Sequence, residues 1–265
     1  MIGAIAGDMI GSVHEFHPHK SKQFPLFDPR SYFTDDSVMT IAIARAILDQ
    51  RPYQDCALEL GRLYPDAGYG GSFYNWLFTD HPQPYNSWGN GSAMRVSPVG
   101  WAFDTRERVL SEAAASASFS HNHPEGIKGA QAAALAIWLA RNGATRAEIR
   151  QDIETTFGYD LKRTVHQIRP SYLFEVSCQR SVPEAIICFL DSTSWEDAVR
   201  NAVSLGGDAD TQACIAGGIA EAFYGPVGPE VVREVKERLT PELWEVTRRF
   251  RERYVGGTRR AAAAH

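Results

Sequence analysis

Apolar residues recur at three- and four-residue spacing along almost the whole chain, and alternating runs of β-branched residues bounded by turn signals are almost absent. A chain patterned in this way buries its apolar stripes by packing helix on helix, so an all-α fold is expected. Side chains able to cap helices mark several starts: Asp104 with Glu107, Thr145 with Glu148, Ser194 with Asp197, and Thr240 ahead of Pro241. Residues 125–139 are rich in alanine and glycine, which lets a central helix approach its neighbours closely. In residues 211–224, Ile215, Ile219 and Phe223 follow four-residue spacing, while Gly217 and Gly218 cost about 1 kcal/mol each in helix propensity. Close packing is expected to offset that cost.

Residues 65–72 and 81–91 are dense in Gly, Pro, Asn and aromatic residues and read as functional loops. No Ser/Gly-rich linker, charge run or internal repeat divides the chain, so residues 1–256 are expected to form one compact domain. A chain of this size can bury about 75% of its unfolded surface. Residues 257–265 are set aside as a C-terminal tail, in which 261–265 read as an expression remnant.

With 44% hydrophobic and 22% charged residues the composition speaks against disorder. A net charge of -5 and the lack of long Lys/Arg runs speak against gripping nucleic acid through broad phosphate neutralisation. An anionic ligand must then be met locally, by main-chain N–H groups, helix N-termini or bound cations. Cys56, Cys178, Cys188 and Cys214 contain no CxxC pair and lie in largely apolar segments, which fits buried thiols in a reducing compartment. No basic segment followed by a long apolar one opens the sequence, and the longest apolar run, 132–140, is far too short to span a bilayer. A cytoplasmic location is expected. Asn90-Gly91-Ser92 matches a glycosylation sequon, a coincidental match without a secretory signal.

Two acidic clusters, Thr34-Asp35-Asp36-Ser37 and Asp208-Ala209-Asp210-Thr211, each open a helix-patterned segment. Alone, either one reads as an acid-rich first turn that complements the helix dipole. Should they meet, four carboxylates would repel one another and require a cation or a proton. Gly206-Gly207 allows a turn that presents Asp208 and Asp210 on one side of the chain. Glu15, near Gly7-Asp8, reads by itself as a solvated side chain. The stretch from Asn86 to Ser92 leads into Ala93-Met94-Arg95, and its successive N–H groups could cradle a phosphate, although most Gly/Asn clusters are simple turns. His121 and His123, two residues apart and followed by Pro124, fall short of zinc-site spacing. A helix-start loop is expected there, with His121 suited to a ligand hydrogen bond.

In order along nearly the whole chain, these segments resemble the ADP-ribosylglycohydrolase family: Gly7-Asp8 through Glu15-Phe16, Thr34-Asp35-Asp36, Gly68-Tyr69-Gly70-Gly71, Gly89 through Arg95, Ser120-His121, and Ser204 through Thr211. The resemblance implies an orthogonal helical bundle with a binuclear Mg²⁺ centre, Mn²⁺ being the alternative. Thr34, Asp35, Asp36, Asp208, Asp210 and Thr211 match the ligands, all oxygen donors as a hard cation wants. It further implies that Gly70, Gly71, Asn86, Ser87, Trp88, Gly89 and His121 contact ADP-ribose, and that Glu15, matching a mobile glutamate, and Asp208 carry catalysis. Ala209 stands where relatives often have Thr or Cys, and Ser37 replaces a common Thr while keeping the hydroxyl.

The implied activity is hydrolysis of the bond between the distal ribose of ADP-ribose and an acceptor such as an arginine or serine side chain. The implied partners are ADP-ribose and its conjugates; no membrane is expected, and nucleic acid only as a modified substrate. Two other readings stay open: a catalytically silent ADP-ribose-binding or crystallin-like protein, and a metal-dependent nucleotide phosphohydrolase. Residues 65–72 and 157–174 are the segments expected to choose the acceptor.

Overall fold

The computed structural model describes residues 1–255; the tail expected at 257–265 lies outside the described residues. The helices of the first half are α1 (Ile2–Gly11), α2 (Asp35–Asp49), α3 (Tyr53–Leu63), α4 (Gly71–Leu77), α5 (Gly91–Met94), α6 (Ser97–Ala102), α7 (Arg106–Ser118) and α8 (Pro124–Arg141). The second half adds α9 (Arg146–Phe157), α10 (Val165–Ile168), α11 (Cys178–Leu190), α12 (Trp195–Val203), α13 (Ala209–Tyr224), α14 (Pro229–Arg238) and α15 (Pro241–Phe250). The all-α expectation holds, and the β pairing among the described residues is a single isolated bridge between Gly89 and Ser177.

The capping chemistry sets most of the predicted starts. Thr145 and Glu148 form a reciprocal capping box, Ser194 accepts from the Asp197 N–H, and Thr240 accepts from the Leu243 N–H with Pro241 in the first turn. One start moves. Thr105, not Asp104, caps α7 by accepting from the Arg108 N–H, and Asp104 instead meets the Arg141 guanidinium at 3.3 Å. A threonine hydroxyl one residue later reaches the third helical N–H, which frees the carboxylate for an ion pair.

α2, α11 and α13 are the most completely buried of the long helices, and all four cysteines are free and buried, as expected. Among the described residues no helix is long and apolar enough to cross a membrane.

What positions the site is the contact between α1 and α13. All ten residues of α1 are buried, and its glycines recur every fourth residue on the face toward α13. A Cβ at Gly7 would lie 2.1 Å from the Ala213 carbonyl oxygen, and one at Gly11 would lie 2.4 Å from the Asp210 Cα. In return, a Cβ at Gly217 would lie 2.3 Å from the Gly3 carbonyl oxygen. Gly217 thus has the packing reason its position called for, and the two backbones lie closer than any side chain would allow. Gly7→Ala is expected to destabilise the fold by about 1–3 kcal/mol, because the new methyl meets rigid backbone. Chemical denaturation checks this, and an unchanged midpoint would show that the helices slide apart freely.

Candidate active site

The close approach of α1 to α13 brings Asp8, one turn before the end of α1, beside the first turn of α13. Asp8 is fully buried and accepts four hydrogen bonds from the start of α2: Thr34 N at 3.0 Å, Thr34 Oγ1 at 2.6 Å, Ser37 N at 3.1 Å, and the Ser37 hydroxyl. One carboxylate therefore ties α2 to α1 and supplies the acceptor that the α2 N-terminus lacks. Thr34 also caps α2 by accepting from the Asp36 N–H.

α2 and α13 then face each other with their acidic first turns. Thr211 Oγ1 donates to Asp36 Oδ2 at 3.1 Å, and Asn90 Nδ2 donates to Asp208 Oδ2 at 2.7 Å. Gly206 adopts a positive φ of 66° in the turn before Asp208, and Gly68, with φ 97°, sits against Asp35. Carboxylate oxygens gather in two triplets, Asp8/Asp36/Asp210 and Glu15/Asp208/Asp210, each within 4.8 Å. Asp210 belongs to both.

Burial is the main force acting on these groups. It pushes Asp8 and Asp208 up to about 6, each held back by hydrogen bonds. Asp35, Asp36 and Asp210 stand well above the carboxylate range, through burial first and then their acidic neighbours. Half-buried Glu15 is pushed up to about 8 by burial, then by Asp210 and Asp8.

These residues form one end of a cleft of about 500 Å³. Its one guanidinium among the described residues, Arg95, is wholly buried and already donates to the carbonyls of Ser116 and Ala117 and to Ser120 Oγ at 3.0 Å. Among the described residues that line the cleft, no lysine or other arginine is left to neutralise the carboxylates. Asp36 Oδ1 is buried with no partner at all. An all-oxygen donor set holding excess negative charge and an orphaned oxygen fits a hard divalent cation. Asp8 differs from Asp36 in that Thr34 and Ser37 already donate to both of its oxygens, so it also orients the start of α2.

Elsewhere in the cleft, His121 Nδ1 lies 2.8 Å from Ser120 Oγ. Since Arg95 can only donate, Ser120 accepts from it and can give its own proton to Nδ1, leaving Nε2–H as the donor of a neutral imidazole. Burial, followed by the Arg95 charge, holds His121 well below the usual histidine range. Nε2 lies beside the Gly89–Gly91 turn, where a Cβ at Gly91 would be 3.0 Å away. Tyr69 also lines the cleft, and its buried hydroxyl has no partner.

Residues 1–260 match the ADP-ribosylglycohydrolase family. The chain belongs to that family. The ADP-ribosylhydrolase ARH3 of Mus musculus is 30% identical, the match covering 85% of this chain and 82% of the relative. The ADP-ribosylarginine hydrolase Tri1 of Pseudomonas putida is 26% identical over 92% of this chain and 76% of its own. A solved ADP-ribosylglycohydrolase-related protein complex has the same fold, with a TM-score of 0.73 over 95% of this chain and 96% of that one, at 23% identity.

Of the residues expected in the ADP-ribosylglycohydrolase site, the cleft brings together Glu15, Asp35, Asp36, Asp208, Asp210 and Thr211, together with Gly70, Gly71, Ser87, Gly89 and His121. Thr34 stands behind them, bonded to Asp8. Asn86 and Trp88 do not line the cleft. Asn86 adopts a positive φ of 57° and donates its N–H to Asn122 Oδ1, while the half-exposed Trp88 ring meets His123 edge-on at 5.6 Å. His123 caps α8, consistent with the helix-start loop expected there. Of residues 157–174, only Phe174 reaches the cleft.

Asp8, Asn90, Arg95 and Tyr69 lie in the motifs that carry the family resemblance but are not among the expected site residues. For Asp8 there was a signal: a lone carboxylate on an otherwise apolar, glycine-rich helix has no solvated face to occupy. Arg95 carried none, because a single arginine after a glycine loop reads as surface.

Proposed function

We propose that the protein hydrolyses the glycosidic bond between the distal ribose of an ADP-ribose conjugate and its acceptor, using two Mg²⁺ ions or Mn²⁺ in their place, within one domain spanning residues 1–256. The observation that carries this reading is the pair of carboxylate triplets sharing Asp210 at one end of a cleft that also holds a glycine turn and a neutral imidazole.

Thr34, Asp35, Asp36, Asp208, Asp210 and Thr211 would hold the cations. Bound there, divalent cations would supply Lewis acidity and a template for ribose hydroxyls and water. Asp208 accepts from Asn90 at Oδ2, which fixes its orientation for polarising water. Glu15, on the loop after α1, shares a triplet with Asp208 and lies within reach of the same water, as a candidate proton acceptor. Nε2–H of His121 would donate to the ligand's anionic oxygens, while the N–H groups of Ser87, Gly89 and Asn90 are engaged with the Ser120 carbonyl, Ser87 Oγ and the Val176 carbonyl and hold the turn in place. Cβ atoms at Gly70 and Gly71 would meet no neighbour within 4 Å, so packing does not demand glycine there and the cleft side is open to an approaching ligand. The surrounding carboxylates favour the oxocarbenium-like charge that develops on the ribose.

The test is a panel of ADP-ribosylated arginine, serine and nucleic-acid conjugates incubated with Mg²⁺ or with excess EDTA, the products being weighed by mass spectrometry. Intact ADP-ribose, lost in EDTA, is expected. AMP as product would point to a phosphohydrolase, and tight binding of ADP-ribose with no cleavage to a silent binding protein. Glu15→Gln is expected to lower kcat by about 10²–10⁴-fold, the range of general acid–base contributions, with little change in ADP-ribose affinity. An unchanged kcat would remove Glu15 from the reaction.

A further inference from the structure

Beside the cleft lies a second groove of about 520 Å³, walled by α10, by residues 171–175 and by the first turns of α11. One side chain, Phe174, lines both hollows. Its exposed ring stacks on Phe16, with centroids 6.1 Å apart and planes at 25°, and Phe16 directly follows Glu15. The groove therefore starts at an aromatic pair adjoining the reacting end of the cleft.

The partition between the two hollows is pinned at both ends. Lys20, on the loop that carries Glu15, donates to the Arg169 carbonyl at 2.9 Å and to the carbonyls of Tyr172 and Leu205. Leu205 opens the turn that leads to Asp208. At the other end Asn90 N donates to the Val176 carbonyl at 2.7 Å, and Cys178 N to the Trp88 carbonyl at 2.8 Å. The groove is thus preformed and held in register with Glu15, Asp208 and the glycine turn, which spares a ligand the cost of ordering it.

Its chemistry discriminates among ligands. Arg163 meets Glu184 at 2.7 Å and Arg180 meets Glu175 at 3.1 Å, so neither guanidinium is free to hold a phosphodiester chain. Glu184 Oε2 is buried without a donor, Ser171 and Gln179 offer a hydroxyl and an amide, and Leu173 is 76% exposed. Polar groups of both kinds around an exposed aliphatic side chain suit a polypeptide, whose main chain alternates donors and acceptors. We propose that this groove seats the polypeptide flanking the modified residue, so that residues beside the modification contribute to substrate selection. The proposal rests on the hydrolase reading above.

The experiment uses the full chain with Mg²⁺ and whichever ADP-ribosyl amino acid it cleaves, presented free and within a short peptide. The peptide is expected to have the lower KM. Leu173→Asp and, separately, Arg180→Glu are expected to raise the peptide KM about tenfold, roughly one step on the affinity scale, while leaving kcat and KM for the free conjugate unchanged. The free conjugate serves as the folding control for both variants. Equal wild-type KM values for the two forms, or variants that shift both substrates alike, would overturn the groove and leave the hydrolase reading standing. Cleavage of neither form would sink the hydrolase reading and the groove with it.

Discussion

Asp210→Asn is expected to lower divalent-cation-dependent release of ADP-ribose by about 10³-fold or more, the scale of losing several kcal/mol of charge stabilisation. Asp210 is the residue shared by both carboxylate triplets, so a single neutralisation would weaken both of the proposed cation positions at once. Asp8, in the first triplet, already accepts four hydrogen bonds from Thr34 and Ser37. The same substitution should leave the cation-free protein folded. Asp210 contributes repulsion to Asp35, Asp36 and Glu15, and its removal relieves all three. Steady-state rates with Mg²⁺ and thermal unfolding in EDTA separate the two effects. Near wild-type turnover, or a loss of activity matched by a loss of folding, would refute the assignment.

The second large effect is on stability. Without cations, the native state holds carboxyl protons that the unfolded chain releases above about pH 4. Burial and mutual repulsion raise Asp8 and Asp208 to about 6 and Glu15 to about 8, with Asp35, Asp36 and Asp210 also raised. The native state then binds more protons than the unfolded one, so its stability falls as pH rises from about 4 through those values. A divalent cation replaces the protons. Mg²⁺ at a hundred times its Kd is expected to add about 2.7 kcal/mol. That is roughly 5–10 °C in Tm for a chain of this size. The gain should be larger at pH 8 than at pH 5, where protons compete with the cation. Thermal unfolding with Mg²⁺ and with EDTA at both pH values measures it. A gain that is absent, or larger at pH 5, would contradict the cluster's role.

Much of the fold was legible because helix signals are local. The capping side chains Thr145, Ser194 and Thr240 and the glycines of α13 each act within a turn or across one contact face. The miss at α7 has the same local character: Asp104 and Thr105 are both competent caps, and pairing with Arg141, 37 positions away, decided between them. The glycines of α1 were harder to read. Their four-residue spacing is visible, but not that α13 is the helix they admit.

The candidate site divides in the same way. Residue type along the chain specified the oxygen donors at Asp35, Asp36, Asp208 and Asp210, and their order among the glycine motifs pointed to the family. Asn86 and Trp88 show the limit, since neighbours in sequence on a left-handed turn point away from the cleft that Ser87 and Gly89 line. No single segment foretells the aromatic pair of Phe16 and Phe174, which joins two loops more than 150 positions apart.

The sequence by itself determined the helices, their caps and the chemical types of the acidic and glycine motifs, because periodicity and hydrogen-bonding to nearby N–H groups operate over a few residues. The tertiary structure alone decided that the two carboxylate triplets share Asp210, that Asp8 orients α2, and that Arg95 leaves the carboxylates unneutralised. Desolvation, Coulomb repulsion and orphaned oxygens depend on distance in space, and that distance is fixed by the glycine face on which α1 and α13 meet.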